Sequence, residues 1–351
     1  MRSPGIGLDE LLPVFEQELF VLDAMDILYP EPPAVTDMTL AELARQAGMD
    51  PGLVSQVMVA AGFPAPDVDD PMRSDDVQLV RLLLGAGQGL GNEGALFRLA
   101  RVVGEPGRRM AESGLALFDE YVLSRVMGTR PDRATRVEFN AMAAALIDNS
   151  ETLIGKLYRR HLEHALLRLW ANAAESYLEQ IGVRSAEHDL PGIAFVDLSG
   201  FTALTESAGD ATAARLAATL AELAEHAAVR RRGRVVKLLG DGAMLFFEHP
   251  LDAVRGALDL VASISGSNLP AAHAGVHQGS VIARDGDFFG RTVNFAARIA
   301  AHADPGQVLV SASLAELSAP DLKFHPAGER AAKGIGDLAV YVAERNGQES
   351  S

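Results

Sequence analysis

The sequence predicts two domains, an all-α N-terminal domain followed by an α+β domain. Two observations carry that expectation. Over residues 9–180 apolar side chains recur at three- and four-residue spacing, the period of a helix with one buried stripe. From about Pro191 the texture changes to short β-rich runs alternating with helical ones, the pattern of a sheet covered by helices.

The helical half is built from LDELLPVFEQELFVLDAMDIL (8–28), TLAELARQAGM (39–49), DDVQLVRLLLGAG (75–87) and RVEFNAMAAALIDN (136–149). Pro- and Gly-rich breaks such as YPEPP (29–33) and GFPAPDVDDP (62–71) separate them, because proline lacks the N–H that a helix interior needs. The run from about Ser150 to Gln180 holds no proline and reads as one long helix, a spacer or coiled arm. The expected divisions are a helical domain at 1–149, a linker helix at 150–185 and the α+β domain at 186–346.

Apolar residues make up 48% of the chain and charged ones 22%, enough for a core in each domain. The chain has no cysteine, which removes disulfides and thiolate chemistry. The opening MRSPGIGLDELLPVFEQELF carries acids inside its apolar run, unlike a signal peptide. No apolar run reaches membrane-spanning length, so a cytoplasmic protein without a membrane partner is expected. The net charge of −16 is unevenly spread: residues 1–190 carry 29 acids and 17 bases, residues 191–351 carry 18 and 14. An acidic first half opposes nonspecific nucleic-acid binding.

The chemistry-bearing segments all lie in the second half. GIAFVDL is a strand pattern ending in Asp197, and GRVVKLLGDGAMLFF reads as a hairpin turning at Asp241. Two carboxylates at neighbouring strand ends, without cysteine or a histidine cluster, suit hard cations such as Mg²⁺ or Mn²⁺. The Leu198 carbonyl is a further candidate ligand. The turn Ser199–Thr202, holding Gly200, Phe201 and Thr202, can offer backbone N–H groups to a polyphosphate. In GDFFGRTVNFAARI, Asn294 and Arg298 are one helical turn apart, suited to a sugar oxygen and to a phosphate of growing charge. Lys333, in AAKGIGDLAVYVA, stands in a Gly-rich turn within reach of a triphosphate. Taken singly, each segment has a plainer reading. Asp197 suits a helix N-cap, Asp241 a turn residue, Lys237 an outward edge lysine, Asn294 and Arg298 a solvated helix face, and Lys333 a surface turn.

Their order is more telling. FVDLSGFT, VVKLLGDG, GDFFGRTVNFAARI, AHADPGQVLVS and AAKGIGDLAVY follow one another as in the catalytic domain of class III nucleotidyl cyclases, which residues 190–345 resemble. The helical half resembles, more weakly, the regulatory domain of certain actinobacterial adenylate cyclases. The resemblance implies a ferredoxin-like α+β fold. It implies that Asp197 and Asp241 bind two divalent cations, Mg²⁺ or Mn²⁺, that Asn294 orients the ribose, that Arg298 stabilises the charge developing at the attacked α-phosphorus, and that Lys333 holds the triphosphate. Lys237 and Asp287 match the family's purine-selecting pair. Adenine offers an acceptor at N1 and a donor at N6, which a lysine and an aspartate complement; guanine reverses those edges. The expected substrate is therefore ATP and the product cyclic AMP. The family's sites are shared between two catalytic domains, so a head-to-tail homodimer is expected. The alternatives are a guanylate cyclase, or a DNA-binding regulator with a nucleotide-sensing cyclase-like domain.

For the first half, TLAELARQAGMDPGLVSQVMVAAGFP (39–64) resembles a helix-turn-helix. Its second helix has no Arg or Lys to read bases or phosphates, so DNA is not the expected partner. Regulation of the cyclase is expected instead. His161 and His164, beside Arg159, Arg160 and Glu163, are candidate pH-responsive groups. An apolar ligand among the helices is the other candidate input.

Overall fold

The computed structural model describes residues 33–123, 133–181, 190–201, 204, 209–317, 319–332 and 336–347. The chain divides into two compact units, Met1–Ile181 and Gly182–Ser351. The expected helix over residues 8–28 lies outside the described residues.

The first unit begins with β1 (Val35–Thr39), then α1 (Leu40–Gln46) and α2 (Pro51–Ala60). Helix α1 starts where it does because Thr39 and Glu42 cap each other: Thr39 Oγ1 accepts from the Glu42 N–H, and Glu42 Oε2 from the Thr39 N–H, both at 3.2 Å. Asp50 caps α2 by accepting from the Leu53 N–H at 3.0 Å, with Pro51 at the first position. β2 (Pro71–Arg73) pairs antiparallel with β1, and Thr36 Oγ1 donates to the Met72 carbonyl at 2.8 Å. This small ribbon is an addition to the otherwise helical reading of the first half. α3 (Ser74–Leu90) and α4 (Glu93–Phe118) follow. Leu40, Leu43, Val54, Val57, Val80 and Leu96 bury the helical stripes against one another. The run at 136–149 and the run from Ser150 are parts of one 48-residue helix, α5 (Arg133–Gln180), about 72 Å long at the usual helical rise.

The second unit is built on a seven-stranded sheet. Its members in chain order are β3 (Gly192–Leu198), α6 (Asp210–Arg230), β4 (Arg234–Leu238), β5 (Gly242–Phe247), α7 (Pro250–Ser265) and β6 (Ala272–Gln278). A separate ribbon, β7 (Ile282–Arg284) and β8 (Asp287–Phe289), precedes α8 (Arg291–Ala300). β9 (Val308–Ser311), α9 (Ala312–Ala315), β10 (Leu322–Ala332) and β11 (Gly336–Arg345) complete it. The strands lie in the order β10-β11-β9-β6-β3-β5-β4, and among the described residues β6 and β9 run parallel while the other pairs in the sheet are antiparallel. α6 and α7 cover one face, where Ala194, Val196 and Leu198 of β3 meet Leu220, Leu260 and Ile264. Ile193 and Met244 belong to the other face, packed with Phe288 and with Ala296 of α8. Strand alternation therefore assigns Asp197, in phase with Ile193 and Phe195, to the α8 side.

Candidate active site

Asp197 stands directly opposite Gly242 of β5 on one side and His273 of β6 on the other. Glycine at 242 is a steric requirement: a Cβ there would lie 2.7 Å from Asp197 Oδ1. The β4–β5 turn is closed by the Leu239 N–H donating to the Gly242 carbonyl at 2.7 Å, with Gly240 at φ 79°. The Leu198 N–H donates to the Asp241 carbonyl at 2.9 Å, which ties that turn to the end of β3. The two aspartates are thus held side by side.

Their proximity is costly without a cation. Burial, and then the negative charge of Asp241, push the Asp197 carboxyl above its usual range, with His273 opposing. Among the described residues the Asp197 carboxylate accepts no hydrogen bond and no third acid or imidazole completes a metal-binding cluster. Two carboxylates that repel each other suit a hard cation such as Mg²⁺ or Mn²⁺, which would take its other ligands from further oxygens. A hollow of ≈ 260 Å³ opens beside them, lined by Phe195, Asp197, Leu239, His273, Ala297 and Ala301.

Lys237 and Asp287 also meet. Lys237 Nζ donates to Asp287 Oδ2 at 2.6 Å, while the Phe288 N–H donates to Asp287 Oδ1 at 2.7 Å. The β7–β8 turn that delivers Asp287 runs through two left-handed residues, Asp285 at φ 54° and Gly286 at φ 82°, the geometry of a tight hairpin.

Asn294 and Arg298 project from α8, the first exposed and the second half-buried. Among the described residues neither side chain bonds to either aspartate or to the Lys237–Asp287 pair. The helix is fixed by the buried Thr292, whose hydroxyl donates to the Ser280 carbonyl at 2.6 Å. It also lies almost on the backbone of β6: a Cβ at Gly275 would fall 2.0 Å from the Ala300 nitrogen. Gly200 takes φ 74°, and Phe201 packs on the α6/α7 core. Thr202 and Lys333 lie outside the described residues. His161 and His164 are exposed on α5, where Arg160 pairs with Glu163 at 2.8 Å.

Sequence reasoning passed over two histidines. His273 Nδ1 bonds Ser199 Oγ at 3.1 Å, bracing the turn after Asp197. His277 bonds Ser311 Oγ at 2.8 Å and stacks on Phe295 of α8 at 5.1 Å between centroids. Burial holds its imidazole below the usual histidine range. The signal was the alternation in AHAGVHQ, which puts His273, Gly275 and His277 on the face of Asp197.

Residues 183–345 match the model of the adenylate and guanylate cyclase catalytic domain. An uncharacterized protein of Mycobacterium tuberculosis is 30% identical over 329 residues, covering 93% of this chain and 83% of that one. The chain belongs to the class III cyclase family. A pH-sensitive adenylate cyclase of the same species is 30% identical over 327 residues, 88% of this chain and 79% of its own. An adenylate cyclase of Streptomyces coelicolor is 29% identical over 280 residues, 78% and 70%. A crystal structure of the adenylyl cyclase CyaB from P. aeruginosa aligns with 46% of this cyclase and 96% of that chain, at 21% identity and TM-score 0.41. The relatives' coverage means the likeness extends through the helical unit and beyond the cyclase domain alone. Among the described residues of this cyclase no helix is long and apolar enough to cross a membrane.

Proposed function

We propose that this class III cyclase is a cytoplasmic adenylate cyclase that converts ATP to 3′,5′-cyclic AMP and pyrophosphate as a homodimer. The observation that carries the choice of ATP is the 2.6 Å Lys237–Asp287 pair, a donor beside an acceptor at the family's purine position. The names of the relatives that are called adenylate cyclases agree with it.

Asp197 and Asp241 would hold two divalent cations, which when bound lower the pKa of the ribose 3′-OH and neutralise triphosphate charge. Gly200, Phe201 and Thr202 would present backbone N–H groups to the β- and γ-phosphates, with the Leu198 carbonyl as a further oxygen at the metals. Asn294 would fix the ribose so that its 3′-oxygen is in line with the α-phosphorus. Arg298 would meet the charge that grows on the phosphoryl oxygens, and Lys333 would hold the departing pyrophosphate. Among the described residues no hydrogen bond or ion pair joins the Asp pair to Asn294 or Arg298, in keeping with a site assembled from two copies. The exposed Leu153, Ile154, Leu157, Leu162, Leu169 and Trp170 of α5 are apolar surface that association can cover.

The test is cyclic nucleotide production from ATP and from GTP with Mn²⁺, in the full chain and in two inactivated variants, Asp197→Asn and Arg298→Ala. Cyclic AMP from the wild type, and recovery of activity on mixing the variants, is the expected result. Cyclic GMP as the main product would refute the substrate, and no recovery would refute the shared site. The helical unit is proposed to regulate turnover, with His161 and His164 as pH-responsive groups or an apolar ligand as the input. An unchanged pH–activity profile in His161→Ala/His164→Ala would remove those two residues from the proposal.

A further inference from the structure

Lys237 and Asp287 come from elements that the main sheet does not join. β4 is an edge strand, and β8 belongs to a separate ribbon. Two features nevertheless bring the ammonium and the carboxylate together.

The first is a bulge in β4. Arg234 stands opposite Phe246 and Lys237 opposite Met244, with the register shifting between Val235 and Lys237. Phe246 and Met244 are two apart on β5 and share a face, so Arg234 and Lys237, three apart, share it too. A regular strand would turn Lys237 to the opposite face, toward the Leu- and Ala-lined core of α6 and α7.

The second is an aromatic clasp. The Phe246 and Phe288 rings stack with centroids 4.4 Å apart and planes within 13°. The Arg234 guanidinium lies 5.2 Å from the first centroid and 5.1 Å from the second, the geometry of a cation–π contact. Phe288 is only 5% exposed and is bonded in sequence to Asp287. The ribbon is therefore fastened to β4–β5 one residue from the acceptor and three from the donor.

We propose that Arg234 and Phe288 are positioning residues for nucleobase recognition, setting where Asp287 stands relative to Lys237 and hence the choice between adenine and guanine. This rests on the adenylate cyclase reading. Selectivity needs donor and acceptor at fixed places, because the wrong base is rejected only when it leaves a buried partner unsatisfied. Loosening the clasp lets Asp287 drift, so discrimination falls further than turnover does.

The experiment measures kcat/KM for ATP and GTP on the full-length chain with Mn²⁺. Phe288→Leu keeps apolar bulk but removes the stack, and should lower the ATP:GTP ratio about tenfold. Arg234→Gln, at an exposed edge position, should lower it about threefold, and Arg234→Lys should restore most of that. In an Asp287→Asn background, Phe288→Leu should no longer change the ratio. Parallel loss with both nucleotides, or a ratio effect that survives Asp287→Asn, overturns the positioning role. A wild type that prefers ATP while the variants keep its ratio overturns this inference alone. A wild type with no preference overturns the adenine reading and this inference with it.

Discussion

Replacing Gly275 with alanine should disable the proposed cyclase reaction from the middle of a strand. The new Cβ would sit 2.0 Å from the Ala300 nitrogen and 2.6 Å from the Ala296 carbonyl oxygen, both backbone atoms of α8. Ordinary contact begins at 3.4 Å, so the helix must retreat by about 1.4 Å, the difference between 3.4 and 2.0 Å. No side chain can rotate aside to relieve this clash. Overpacking of that kind costs about 1–3 kcal/mol, which the domain should survive. Asn294 and Arg298, the proposed ribose and phosphate groups, ride on the displaced helix, and a misplacement near 1 Å of catalytic groups costs on the order of 10²-fold in rate. The assay pairs cyclic AMP production with urea unfolding of the same preparation. Gly266→Ala is the control, since its Cβ would meet nothing nearer than 3.7 Å. Wild-type turnover in a folded Gly275→Ala protein would refute the reasoning that α8 placement limits catalysis.

Further outcomes follow from the same structure. The Asp197 carboxyl is raised above 3.8, so its ionised form is penalised in the fold and native stability declines as pH rises through that interval. Asp197→Asn should therefore raise the thermal midpoint of the metal-free protein at neutral pH while lowering turnover about 10²–10³-fold; a lowered midpoint would contradict the repulsion described. His277 is depressed below 6.5, so stability should be full above that value and be lost as pH falls toward its folded pKa. His277→Gln should flatten that acid limb in thermal scans across the interval. A one-to-one mixture of Asp197→Asn and Arg298→Ala chains should reach about a quarter of wild-type activity, because half the dimers then carry one intact site of two. Thr39→Ala should destabilise the helical unit by about 1 kcal/mol in denaturant titrations, through loss of its reciprocal cap.

The sites of charge were legible where strand alternation and turn chemistry agree. GIAFVDL reads as one strand because its even and odd positions both find cover, and GDG between apolar runs closes a hairpin. The bulge was invisible, since RVVKL reads as one regular strand and only pairing with β5 reveals the extra residue. The ribbon in the helical half escaped because three residues beginning with proline make no strand pattern; the pairing comes from β1 and the Thr36 hydroxyl. Asp148, Asn149 and Ser150 look like a helix break, yet the Ser150 hydroxyl donates to the Leu146 carbonyl at 2.6 Å and α5 continues through them. The clasp sets Phe288 on Arg234 and Phe246, residues more than forty positions earlier and beyond the range of any local pattern.

The parallel pair has a kinetic meaning. β6 and β9 sit side by side with the β7–β8 ribbon and α8 as the connection between them. A parallel pair forms only after its whole connection is in place, which makes it a late and slow event in folding. The helix bearing Asn294 and Arg298 thus docks with that pair and is released only with it. Its amides should exchange with solvent at the rate of global opening, not by local fraying.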